Sequence, residues 1–226
     1  MPKKAIVTGH TRGLGAALAA QLEADGWDVL GVARSGGERV DLGDPEALLA
    51  WLDGGTLRAH LADADEILLI NNAGYLGPSN LVGDQDPAQA ALAVNVNLTA
   101  PILLTNAVLR DRPAGTPTRV AHISSGVGRR PIPGWSVYGA TKAAVDHHAR
   151  TVSAEGHDGV RIVSIRPGVV DTEMQGEIRE SAGFPLRADF VAMKEEGRLV
   201  SAADAARAVL AIVDADDFGA EPLASV

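Results

Sequence analysis

Apolar positions along this chain follow two alternating rhythms. Short runs that stay apolar without alternating read as strands covered on both faces of a parallel sheet. They are KKAIVT at 3–8, WDVLGVARS at 27–35, EILLINNAG at 66–74, RVAHIS at 119–124 and VRIVSIRPG at 160–168, with VDL at 40–42 as a brief further strand. Between them apolar residues recur at helical spacing: in LGAALAAQLEADG after the first strand, from Asp44-Pro45 to about Leu52, from Pro87 to about Arg110, from about Trp135 to Gly156, and in AADAARAVLAIVD after Ser201. The punctuation agrees. Pro45 suits a first helical turn, Gly26 a helix stop and Ser201 an N-cap, while Pro113 to Pro117 break the long alanine-rich helix. Strands alternating with helices at this spacing predict right-handed βαβ units. The expected fold is a single α/β domain over 1–226, a doubly wound parallel sheet with helices on both faces.

Composition narrows the function. The 226 residues are 46% hydrophobic, and a net charge of −9 argues against nucleic-acid and anionic-membrane partners, which demand clustered Lys and Arg. Arg129 and Arg130 are the only adjacent arginines. With no cysteine there is no disulfide, thiol nucleophile or cysteine metal site, which fits a cytoplasmic protein. Neither a signal-peptide core nor an apolar stretch near 18 residues is expected. His147 and His148 lack a carboxylate cluster or a third histidine at metal spacing, so they read as solvent or subunit-contact residues and no metal is expected.

The candidate chemistry sits at strand ends. TGHTRGLG at 8–15 places Gly9, Gly13 and Gly15 between a strand and a helix, where free N–H groups attract a pyrophosphate. The same turn also fits a tight connection without a ligand; its place directly after the first strand favours the phosphate reading. At the end of the second strand an acid would bind the ribose of NAD, but the chain has Ala33 and Arg34 there, with Arg12 inside the turn. Two guanidiniums and no carboxylate suit the 2'-phosphate of NADP. Asp41 is placed either to accept from an adenine amino group or to act as a loop or cap acid beside Asp44. Further on, Ser125 is followed by Tyr138 and Lys142. One helical turn apart, the ammonium would favour the phenolate and lower the tyrosine pKa, and Ser125 would offer a second hydrogen bond to the same substrate oxygen.

With TGHTRGLG, NNAG at 71–74, Ser125 with Tyr138-x-x-x-Lys142, and PGVVDT at 167–172 in that order, the chain resembles the short-chain dehydrogenase/reductase family over nearly its whole length. The resemblance implies a Rossmann-type sheet of about seven strands and catalysis by Asn97, Ser125, Tyr138 and Lys142, with Asn95 the competing asparagine. Tyr138 would act as general acid, and Asn97 would hold a water linking Lys142 to solvent. Cofactor contacts are implied for Gly9, Thr11, Arg12, Gly13, Leu14, Gly15, Arg34 and Asp41 at the adenosine and phosphate end, and for Asn72, Ala73 and Gly74 beside it. Tyr138, Lys142, Pro167, Gly168, Val170 and Thr172 would hold the nicotinamide end. DTEMQ and KEEGRLVS resemble the sepiapterin reductase and benzil reductase branch, which reduces ketones or vicinal diketones with NADPH. The pterin-holding aspartate of sepiapterin reductases has no counterpart in FGAEPLASV, which points to a less polar carbonyl compound.

Weak periodicity from 171 to 200 predicts short helices in a mobile flap over the site. Met174, Phe184, Phe190 and Trp135 are expected to line a substrate pocket, or else to pack the flap onto the body. The expectation is an NADPH-dependent ketone or diketone reductase, a homodimer or homotetramer through the 87–110 and 135–156 helices. An NAD-linked alcohol dehydrogenase and a non-catalytic NADP sensor are the alternatives.

Overall fold

The computed structural model describes residues 1–226. Its strands are β1 (Lys3–Thr8), β2 (Asp28–Ala33), β3 (Glu38–Arg39), β4 (Glu66–Asn71), β5 (Thr118–Ile123), β6 (Val160–Arg166) and β7 (Leu223–Ser225). All seven pair in parallel in the order β3-β2-β1-β4-β5-β6-β7. From β1 the chain steps outward to β3, then returns to place β4 on the other side of β1. That reversal opens a crevice at the carboxyl ends of β1 and β4, where ligands bind in such sheets.

The apolar strand runs are explained by two cores. Ala5, Val7, Leu68, Ile70, Val163 and Ile165 point to one face and pack on α1 (Gly13–Ala24) and α9 (Ala202–Val213). Ile6, Leu69, Val120 and Ile162 point to the other, where α2 (Pro45–Asp53), α3 (Thr56–Leu61), α5 (Ala100–Asp111) and α6 (Ser136–Glu155) cover them. Each fully buried Leu, Ile or Val contributes about 1.5–3 kcal/mol. The predicted Ser201 cap holds, accepting from the Asp204 amide at 3.1 Å, and α2 opens at Pro45 as expected, with Asp44 accepting from the Glu46 and Ala47 amides at 3.0 and 3.2 Å.

Three expectations change. The third strand is Glu38–Arg39, not 40–42; Val40 and Leu42 owe their apolar character to burial in the second core rather than to the ladder. β7 and α3 carried no sequence pattern of their own. And the helical run Pro87–Asp111 is, by length and a mean hydropathy of 1.6, apolar enough to cross a membrane. In this fold it divides into α4 (Pro87–Val94), a π turn (Asn95–Thr99) and α5, and α5 packs on the sheet with Leu104, Ala107 and Val108 fully enclosed.

The predicted flap leaves and rejoins the body at one point. Val170 and Val200 form a parallel bridge, with the Val200 amide donating to Val169 at 2.9 Å and the Asp171 amide to Val200 at 2.8 Å. Between them lie α7 (Glu173–Glu180) and α8 (Arg187–Glu195).

Candidate active site

The glycine turn is built for close approach. Gly9 and Gly13 have φ of 66° and 54°, the left-handed region that glycine adopts without penalty. Gly15 is required for packing instead: a Cβ there would lie 2.2 Å from the Gly9 carbonyl oxygen and 2.4 Å from Asn72 Nδ2. Asn72 ties the ends of β4 and β1, donating its amide N–H to Thr8 Oγ1 at 3.0 Å and its side chain to the Thr8 carbonyl at 2.9 Å. Arg12 and Arg34 both line the crevice above this turn, and Arg12 forms an ion pair with Glu173 at the start of α7. Asp41 accepts from the Gly43 amide at 2.9 Å while keeping its place on the crevice wall.

At the other end β5 delivers Ser125 opposite α6, which carries Tyr138 and Lys142, both buried. The Ser125 hydroxyl accepts from the Val127 amide at 3.4 Å and stands near enough to the phenol to favour its ionised form. Here the structure reverses one expectation. Burial pushes the Tyr138 pKa up to about 12, a rise that the neighbouring Ser125 hydroxyl offsets only in part, so the phenol is not made acidic as expected. The ammonium sits 5.6 Å from the phenol ring centroid and donates to the Ile123 carbonyl at 2.8 Å. Burial in turn lowers the Lys142 pKa to about 8, opposed by the nearby Asp146 carboxylate. Asp146 itself accepts from Ser164 at 2.7 Å and pairs with Arg129 at 3.1 Å.

The two asparagines of the π turn are cleanly separated. Asn95 donates to the Gly43 carbonyl at 3.0 Å, away from Tyr138. Asn97 is buried and spans Tyr75, accepting from its amide at 2.8 Å and donating to its carbonyl at 2.7 Å, with a further bond to Thr141 Oγ1 at 3.2 Å. Both amide hydrogens are thereby used, so the side chain braces the wall and stands behind the cavity lining. A π turn commonly marks such a functional position.

One continuous cavity of about 980 Å³ runs from the glycine turn past Tyr138 to the flap. Every residue expected to touch cofactor lines it, as do Ser125, Trp135, Met174 and Phe190. Phe184 does not. It stacks on Trp135 at 4.5 Å with an interplanar angle of 12°, backing the wall from outside. Trp135 is held by a 3.0 Å hydrogen bond to Ser79 and meets Tyr138 edge-on at 5.9 Å. Leu76, Ile132 and Ile178 also line the pocket and were missed, although Leu76 follows the NNAG motif closely. His148 also departs from expectation, turning inward to meet buried His122 at 3.0 Å.

A model of the family described as short chain dehydrogenase matches residues 56–183, more than half of the chain. The chain belongs to the short chain dehydrogenase family. The matched segment spans the NNAG turn and the Ser125, Tyr138 and Lys142 positions. Among individual relatives, a benzil reductase ((S)-benzoin forming) of Bacillus cereus is 32% identical over 94% of both chains. A sepiapterin reductase of Meriones unguiculatus is 35% identical over 94% of this chain and 92% of its own. A short-chain dehydrogenase/reductase structure from Burkholderia vietnamiensis is 41% identical with a TM-score of 0.72, covering 97% of this chain and 94% of that one. The benzil and sepiapterin reductases among these relatives match the branch expected from DTEMQ and KEEGRLVS. As a short chain dehydrogenase the chain is an oxidoreductase of a family that uses a nicotinamide cofactor. The glycine cradle, with no room for a Cβ at Gly15, and the length of the cavity fit such a group.

Proposed function

We propose that this short chain dehydrogenase reduces a ketone or diketone carbonyl to the alcohol with NADPH, using Tyr138 as general acid. The carrying observation is Ser125 beside the buried Tyr138 and Lys142 midway along one cavity, between a phosphate-type turn and an apolar pocket. The cofactor, when bound, supplies the hydride. Tyr138, protonated well above neutral pH, gives its proton to the oxygen that gains the electron pair of the carbonyl π bond. Ser125 donates to the same oxygen. Lys142 stabilises the phenolate left behind and holds the nicotinamide ribose, and Asn97 keeps the Tyr75 segment in register.

Arg12 and Arg34 favour NADP over NAD, because both stand on the crevice wall where a 2'-phosphate would lie. Gly9, Thr11, Gly13, Leu14 and Gly15 hold the phosphates, Asp41 the adenine, Asn72, Ala73 and Gly74 the adenosine side, and Pro167, Gly168, Val170 and Thr172 the nicotinamide. The benzil and sepiapterin reductases among its relatives support carbonyl reduction, and the Trp135, Met174 and Phe190 wall supports an apolar substrate. The chain acts in the cytoplasm as a homodimer or homotetramer. Half-exposed Val94 and the groove of Leu98, Val137 and Ala140 between α4 and α6 support that assembly.

Following NADPH absorbance with benzil, sepiapterin and simple diketones tests the reading. Faster turnover with NADH would sink the cofactor assignment, and binding without turnover on any carbonyl would favour a sensor. Tyr138→Phe is expected to abolish turnover with NADPH affinity nearly unchanged; full activity in that variant would refute the acid role.

A further inference from the structure

Arg12 has two anionic clients. In the structure its guanidinium pairs with Glu173, the first residue of α7, and the same guanidinium is the one proposed above to meet a 2'-phosphate. The contact is not isolated: the adjacent Thr172 packs on the turn itself, its Cγ2 lying 3.1 Å from where a Cβ of Gly13 would stand. The flap root therefore rests on the glycine turn, with Glu173 held over Arg12. No acid pairs with Arg34, the other crevice arginine, so Glu173 is the only carboxylate paired with either cation.

We infer that Glu173 is a specificity-determining residue, setting affinity for the 2'-phosphorylated cofactor by competing with its phosphate for Arg12. The inference rests on the NADP reading. A phosphate dianion and a carboxylate cannot both be served at full strength by one guanidinium, and they repel each other at close range. The phosphate must displace Glu173, and that displacement frees the first turn of α7 from the cofactor end. NAD, with a neutral ribose hydroxyl, makes no such demand and is indifferent to Glu173. Both side chains are more than half exposed, so the handicap is modest: an exposed ion pair corresponds to about two- to fivefold in binding.

The test is calorimetric titration of the full chain with NADP+ and NAD+, in wild type, Glu173→Gln, Arg12→Gln and the double variant. Glu173→Gln should tighten NADP+ about two- to fivefold and leave NAD+ unchanged, with the gain fading as salt rises and disappearing when Arg12 is also replaced. Equal tightening of both dinucleotides would overturn the inference by showing that Glu173 acts through flap closure alone. No tightening, with Arg12→Gln still weakening NADP+, would overturn it while leaving the NADP reading intact. If Arg12→Gln binds NADP+ as wild type does, the assignment of Arg12 to the phosphate fails, and this inference fails with it. Thermal melts of the same variants, expected within a few degrees of wild type, check that the comparison is between folded proteins.

Discussion

Phe184 offers a test of how the flap is held, because it touches the aromatic wall without lining the cavity. Its ring is 3% exposed and stacks on Trp135, with Phe190 at 5.7 Å, inside a seven-residue cluster separate from the two main cores. Replacing a buried Phe by Ala costs about 3–5 kcal/mol, and the lower figure suits a flap edge that can settle. The loss falls on docking of α7 and α8, not on the sheet. At about 1.4 kcal/mol per factor of ten, 3 kcal/mol lowers the ratio of docked to undocked flap about a hundredfold. Hydrogen exchange reads that ratio directly: amides in 173–195 of Phe184→Ala should lose about a hundredfold protection, while those of β4 and β5 keep theirs. Turnover of a diketone should fall with NADPH affinity preserved, and Phe184→Leu should recover most of both. Unchanged exchange in the flap would refute the docking role; an equal loss in β4 and β5 would show that the cluster belongs to the global fold.

Three further outcomes follow from the site. Lys142 is charged below its lowered pKa of about 8 and neutral above it, so carbonyl reduction should decline about tenfold per unit as pH rises past 8; a profile flat to pH 10 would count against its electrostatic role. His122, fully buried between Asn71 and His148, has its pKa depressed to about 3 by burial. Its stabilising contribution is present above the unfolded value near 6.5 and is lost as pH falls toward 3, because the unfolded chain takes up the proton first. Urea titrations of His122→Gln should therefore show a shallower acid limb than wild type, and parallel limbs would refute the assignment. Gly15→Ala forces a Cβ against the Gly9 carbonyl, where no flexible side chain can yield, so the turn must shift; expect about 1–3 kcal/mol of destabilisation and at least about tenfold weaker NADPH binding by calorimetry.

What the sequence made legible was local. β1, β4 and α6 declare themselves through apolar runs and spacing, and the glycine turn through its place between β1 and α1. β7 does not, because three partly exposed residues gain their strand character only by pairing with β6. VDL looked like a strand because Val40 and Leu42 are apolar, yet burial beneath the sheet imposes the same signature. At the site, the one-turn spacing of Tyr138 and Lys142 correctly put them on one helix, but the direction of the ammonium is decided by the Ile123 carbonyl on another element. No local rule foretells that. Likewise Phe184 and Phe190 are indistinguishable as apolar flap residues; one backs Trp135 and the other faces the cavity only because of how α7 and α8 fold over it.

The Val170 and Val200 bridge carries a wider consequence. A segment whose two ends are stitched side by side can be exchanged as a cassette, since a replacement joins the body through one pair of backbone hydrogen bonds and docks on the Trp135 wall. Ser125, Tyr138 and Lys142 lie outside that cassette, on β5's exit and α6. The part of the pocket wall formed by Met174, Ile178 and Phe190 therefore lies on a stretch of chain separate from the bond chemistry, and a graft between relatives can alter that part while leaving Ser125, Tyr138 and Lys142 in place.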